Sequence, residues 1–159
     1  MPIIRDSILI RSPREQVMAR SQDYAERLKW DPYLRDIRFL DGVTSPRVGM
    51  KVYVKARNGL TMEVEYITFR PPEVVAIKML KGPAVFDRFS GVWRFDEVSE
   101  AETLVTFIYS FKSRWRLAAP MLDPVISLIF SRDIRKRLIA LRDSCESRLN
   151  ANGVKRNPG

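Results

Sequence analysis

The spacing of apolar residues changes twice along the chain, and each change predicts a different kind of element. Alternation from Ile3 to Ile10 predicts a strand. Ser12-Pro13 followed by Glu15 supplies an N-cap, a proline at the first helical position and an acidic first turn, so a short helix is expected near residues 13–21. A second short helix is expected over Tyr24 to Leu28. Trp30-Asp31-Pro32 ends it, because the residue before a proline avoids the α region. Beyond that point the period becomes two. Residues 37–40, 50–56, 60–69, 74–80, 86–98 and 103–112 each read as strands. Asn58-Gly59 is a hairpin signal, Arg70-Pro71-Pro72 and Gly82-Pro83 are turn breakers, and Ser99 to Glu102 is polar. Short connections of this kind predict an antiparallel meander.

The period then becomes helical. Leu122, Ile126, Ile129, Ile134, Leu138, Leu141, Cys145 and Leu149 recur mostly at steps of three and four, the stripe of one long amphipathic helix. Either Pro120 or Pro124 can occupy its first turn, the second with Asp123 as cap. Residues 3–149 therefore form a single α+β domain, and the aperiodic polar tail 150–159 is expected to be disordered.

The strands agree on which side faces inward. Met50, Val52, Val54 and Ala56 share one face, with Lys51, Tyr53 and Lys55 on the other. Met62, Val64 and Tyr66 continue the apolar wall opposite Glu63 and Glu65, whose charges complement the neighbouring lysines. Val75, Ile77 and Met79 extend it, followed by Phe89, Gly91, Trp93 and Phe95, then Val105, Phe107, Tyr109 and Phe111. The wall is aromatic and carries no charge.

Composition narrows the chemistry. The chain has 159 residues, 45% of them hydrophobic, which is enough for one domain with a real core. Its longest apolar stretch, Leu117 to Phe130, is interrupted by Pro120, Asp123 and Pro124 and is too short to span a bilayer, so a soluble protein is expected. The N-terminus lacks the pattern of a secretory signal. Cys145 is the single cysteine and histidine is absent, which excludes an internal disulfide, a multi-cysteine metal site and any nucleophile paired with histidine. No metal and no cofactor are expected, and a reducing cytoplasm fits. The net charge is +9, and residues 113–159 hold ten Lys/Arg against four Asp/Glu, so the basic excess is C-terminal.

Strand, two short helices, six-stranded meander and long helix together resemble the helix-grip superfamily of START-related lipid-transfer domains, pollen-allergen-like proteins and polyketide cyclases. The resemblance rests on Ile8-Leu9-Ile10-Arg11-Ser12-Pro13-Arg14-Glu15-Gln16-Val17, on Trp30-Asp31-Pro32-Tyr33, and on the late strand pair Gly91-Val92-Trp93-Arg94-Phe95 and Thr103-Leu104-Val105-Thr106-Phe107. It covers residues 3 to 149. It implies a curved seven-stranded antiparallel sheet wrapped around the C-terminal helix. It is specific for fold and weak for function, since the superfamily hosts carriers, cyclases and regulators.

Between sheet and helix the interior is either packed solid or left as a pocket for a hydrophobic small molecule or lipid. The candidate ligand-binding residues are Tyr66 and Met79, then Phe89 and Trp93, then Phe107, Tyr109 and Phe111, with Leu122 and Ile126 from the helix. Tyr66 and Tyr109 stand out because a buried phenol needs a partner and can orient a polar group. The alternative is a cyclase- or dehydratase-like enzyme with one of these phenols as acid, although no catalytic residue is assigned. Glu63 and Glu65 read as solvated outer-face charges, as do Arg88 and Arg94.

Arg132, Arg135, Lys136, Arg137 and Arg142 form a basic run on the helix, which reads either as a solvated face or as a docking surface. The docking candidates are Arg132, Lys136 and Arg142, with Arg114 and Arg116 flanking Trp115. Their partner would be an anionic membrane. A ribosome or nucleic acid is the weaker partner, because no aromatic-basic interleaving accompanies the run.

Overall fold

The computed structural model describes residues 1–42 and 44–155, with side chains described up to Arg148. The elements run β1 (Ile3–Ile10), α1 (Arg14–Gln22), α2 (Tyr24–Trp30), β2 (Leu34–Phe39), β3 (Lys51–Ala56), β4 (Thr61–Arg70), β5 (Val74–Lys81), β6 (Phe86–Ser99), β7 (Glu102–Ser113) and α3 (Ala119–Lys155). All seven strands form one antiparallel sheet in the order β1-β7-β6-β5-β4-β3-β2. This is the helix-grip architecture. The meander runs from β2 to β7, and β1 joins beyond β7 with Ile3 opposite Ser110 and Ile10 opposite Thr103.

Local chemistry explains the bends. Gly59 adopts φ 90°, a left-handed conformation that a side chain would strain, and Asn58 Oδ1 accepts the Leu60 N–H at 3.0 Å in the β3–β4 turn. Register shifts in β4 between Tyr66 and Thr68, and in β6 between Phe86 and Arg88, increase local twist. Such irregularities help a seven-stranded sheet to curve around one helix.

The inward faces are those expected from the alternation. Met50, Val52, Val64, Tyr66, Val75, Trp93, Phe95, Val105, Phe107, Tyr109 and Phe111 are all buried, and Ile134, Leu138 and Leu141 of α3 pack on them with no exposed surface. On the outer face Glu65 stands opposite Lys51, as predicted. Glu63 instead faces Tyr53 and pairs with Lys81 at 3.7 Å, while Lys55 stands opposite Thr61.

Four local expectations change. Ser12 does not cap α1: its hydroxyl turns to Gln16 Oε1 at 3.4 Å, and Pro13 takes the cap position without a side-chain hydrogen bond. Helix α2 runs two residues further, to Trp30, and β2 begins three residues earlier, at Leu34. Pro120 occupies the first turn of α3, whereas Pro124 lies inside the helix and Asp123 accepts a hydrogen bond from the Ser113 hydroxyl. The helix reaches Lys155, into the tail expected to be disordered; residues 156–159, like the Leu149 side chain, lie outside the described set. No helix among the described residues is long and apolar enough to cross a membrane.

Candidate functional site

Sheet and helix leave space between them. A cavity of about 330 Å³ lies inside the grip, within the usual range for small-molecule sites. Its walls come from the inner faces of β2 to β7, the first half of α3 and the α1–α2 pair. Six of the expected ligand-binding residues line it: Tyr66, Phe89, Trp93, Phe107, Tyr109 and Ile126. Three do not. Phe111 is sealed beneath Phe86 and Phe130, each ring 5.6 Å away, so it is core. Met79 lies near the strand end, with its sulfur against Gly82. Leu122 is half-buried on α3 and stays outside the wall.

One end of the cavity is polar, which the sheet pattern alone did not indicate. Pro32 forces Asp31 out of helix α2 into an extended conformation (φ −77°, ψ 112°). There its carboxylate has no exposed surface. Oδ2 accepts Arg137 Nη2 at 2.9 Å, Arg137 Nε at 3.1 Å and Arg27 Nε at 3.2 Å, and Oδ1 accepts the Tyr33 N–H at 3.0 Å. Burial pushes the Asp31 carboxyl up. The opposing pull of Arg137 and Arg27, together with these hydrogen bonds, prevails and holds it below the ordinary carboxylate range.

Aromatic rings pack against the two guanidiniums. Arg137 lies 4.9 Å from the Phe107 ring centroid and 5.0 Å from that of Tyr33, and Arg27 lies 5.7 Å from that of Trp93. These are cation–π distances. Arg137 Nη1 also donates to the Tyr109 hydroxyl. Beside Arg27, Tyr24 and Tyr66 share a hydrogen bond between their hydroxyls, and Tyr66 donates onward to Gln22 Oε1 at 2.9 Å. Gln22 Nε2 donates to Ser21 Oγ at 3.1 Å, and Ser21 in turn to the Met18 carbonyl at 2.7 Å. Burial raises the pKa of Tyr24, Tyr66 and Tyr109 above the usual phenol value. At neutral pH they are protonated and available as hydrogen-bond donors.

The surface candidates separate. Arg114, Arg116, Arg132 and Lys136 are exposed. Arg142 is half-buried and paired with Asp143 at 3.2 Å, and Arg135 reaches Asp6 at 3.5 Å. Arg137, read from the sequence as one of the surface basic residues, is buried at the cavity. Trp115 is half-exposed, and among the described residues it makes no cation–π contact with either flanking arginine.

Sequence reading missed Gln22, Tyr24, Arg27, Asp31, Tyr33 and Arg137 as site residues. A signal was present for some of them. Arg137 lies three residues after Ile134 and four before Leu141, in the middle of the apolar stripe, and a charge there must find a buried partner. Arg27 and Asp31 are spaced i,i+4 at a helix end.

Fold and cavity together define a helix-grip domain with an internal cavity. The family model for polyketide cyclase/dehydrase and lipid transport matches residues 1–146, and the chain belongs to that family. Among solved structures it is similar to the Zhui aromatase/cyclase from Streptomyces sp. R1128, with a TM-score of 0.78 and 18% identity over 96% of this chain and 98% of that one. A START superfamily protein from Mycobacterium smegmatis superposes with a TM-score of 0.76 at 10% identity, covering 91% of this chain and 97% of its own. TTHA0849 from Thermus thermophilus gives 0.76 at 15% identity, covering 92% and 98%. At these identities the likeness extends to the fold alone. No curated protein matches the chain.

Proposed function

We propose that this chain binds or carries a hydrophobic small molecule or lipid in the cavity between the sheet and α3. The observation that carries this reading is the cavity of about 330 Å³, walled by Val52, Val64, Phe89, Trp93, Phe107 and Ile126. Apolar walls of this kind gain free energy from any ligand that replaces water against them, about 25 cal/mol per Å² buried. Denaturing extraction and mass spectrometry of the purified protein are expected to release a stoichiometric apolar molecule. Val64→Phe, which places a ring into the cavity from β4, is expected to lower its occupancy by more than about tenfold while the protein stays folded, since overpacking costs about 1–3 kcal/mol. An empty parent protein that also fails to take up apolar probes overturns the reading.

The exposed side of α3 favours a second statement, about where exchange takes place. Leu117 is fully exposed, Met121 80% and Val125 57%, and Trp115 precedes them between Arg114 and Arg116. Met121, Val125, Leu128, Arg132 and Lys136 follow at steps of three and four, so an apolar face passes into a basic one along one side of the helix. Ile126 and Ile129 of the same segment line the cavity. We infer that this face rests on an anionic membrane, with the apolar residues entering the interface and the basic ones meeting headgroups. Arg132→Glu/Lys136→Glu is expected to weaken co-sedimentation with phosphatidylserine vesicles by about 2 kcal/mol, and high salt to do the same to the parent. Salt-independent binding to neutral vesicles would mean apolar insertion alone. A concentration-dependent dimer without vesicle binding would mean that a second copy covers the face, and RNA binding without vesicle binding would move the protein to the ribosome-associated reading.

A further inference from the structure

The charges buried at the polar end of the cavity do not cancel. Arg27 and Arg137 both line the cavity, and among the described residues Asp31 is the one carboxylate in ion-pair contact with either. Asp133, four residues before Arg137, is half-buried, but it makes no ion pair with that arginine among the described residues. Two guanidiniums in direct contact with one carboxylate leave an excess of +1 among the paired groups, which Asp133 offsets only from beyond ion-pair distance. The rings of Trp93, Phe107 and Tyr33 offset part of that cost, as a quadrupole does, without neutralising it.

Hydrogen-bond donors exceed acceptors in the same place. Arg137 uses Nε, Nη1 and Nη2 on Asp31 and Tyr109. Arg27 uses Nε on Asp31 and Nη1 on the Ser21 carbonyl at 3.4 Å, and its Nη2 makes no hydrogen bond among the described residues. Tyr109 accepts from Arg137, which leaves its own O–H without an acceptor there. An N–H of Arg27 and the O–H of Tyr109, both cavity-lining residues, without an acceptor among the described residues and beside an uncompensated guanidinium, are what a negatively charged oxygen satisfies.

We propose that the ligand is an amphipathic organic anion whose carboxylate or equivalent anionic oxygen sits against Arg27 Nη2 and the Tyr109 hydroxyl, while its apolar body fills the remainder of the cavity. This rests on the binding function proposed above and names the class of its ligand. Asp31 has a positioning role: it orients both guanidiniums and cancels only one of their charges. The arginines come from α2 and α3, so the head is fixed at the helical end and the body extends along the sheet.

The experiment compares decanoate with decan-1-ol, and 2-naphthoate with naphthalene-2-methanol, by calorimetry and by intrinsic tryptophan fluorescence of the full chain, to which Trp93 in the cavity wall contributes. The carboxylates are expected to bind at least about tenfold more tightly than the matched alcohols, as a hydrogen bond to a charged group requires. Arg27→Met keeps the apolar stem and leaves Arg137 to balance Asp31, so it is expected to abolish that preference while alcohol binding persists. Equal binding of carboxylate and alcohol by the parent, or a preference that survives Arg27→Met, overturns the anion proposal and leaves apolar binding standing. Binding of neither pair overturns both. The comparison within the parent protein needs no variant, so a poorly folding Arg27→Met does not remove the test.

Discussion

Asp31→Asn is expected to lower folding stability by about 3–5 kcal/mol, because it leaves the Arg27 and Arg137 guanidiniums buried and facing each other without their shared counter-charge. Urea denaturation should show a lower midpoint with an unchanged slope, the sign of a stability effect that leaves the surface exposed on unfolding unaltered. The loss should also depend on pH. Folding lowers the Asp31 pKa, so as pH falls the unfolded chain takes up the proton first. The stability advantage of the parent over Asp31→Asn is therefore expected to be constant near neutrality. It should begin to shrink near the ordinary carboxylate pKa of about 3.9 and vanish below the lowered folded value. Adding Arg27→Met to the Asp31→Asn variant should restore part of the stability, since it removes one of the two unpaired charges. An Asp31→Asn protein as stable as its parent at pH 7 would mean that Asp31 does not organise the polar end.

Phe111→Ala carries the other large expected effect, about 3–5 kcal/mol of stability, with little change in ligand affinity of the folded protein. Phe111 has no exposed surface and lies against Phe86 and Phe130, so truncation opens a void that the surrounding rings cannot fill. It lies outside the cavity wall, two residues beyond Tyr109, which forms part of that wall. Thermal or urea unfolding measures the first effect, and titration with an apolar probe the second. A loss under about 1 kcal/mol would show that the ring is not held as tightly as its neighbours indicate.

The contrast between Phe111 and Tyr109 marks where reading the chain stops. Both fall on the inner face by the same alternation, and period two says nothing about what stands across from each. Phe130 comes from α3 and lies over both rings, and Phe86 from β6 is stacked on it, so Phe111 is sealed while Tyr109 borders empty space. Met79 leaves the wall near the end of its strand, against Gly82, and Leu122 is only half-buried on α3. Inward orientation is local, whereas occupancy of the opposite side is not.

Arg137 makes the same point with charge. Within the run Arg135-Lys136-Arg137 the three side chains leave the helix about 100° apart, so one of three adjacent basic residues points to the core whenever its neighbours point to solvent. Arg135 reaches Asp6 and Lys136 is exposed, which directs Arg137 inward. Its fate then depends on Asp31, 106 residues earlier in the chain and placed only by the end of α2. A count of basic residues toward the C-terminus includes Arg137 with the surface charges; its partner removes it from them.

Hydrophobic period and turn chemistry were enough to define the order of elements, the antiparallel meander, the inner face of each strand and the helix that the sheet encloses. They act between residues a few positions apart, and most of the chain obeys them. The cavity and its polar end depend on contacts between α2, β7 and α3, far apart in sequence. Whether such surfaces meet as packed core or leave a void is decided by side-chain volumes summed across the fold, and whether a buried arginine is stabilised is decided by the one carboxylate the fold brings to it.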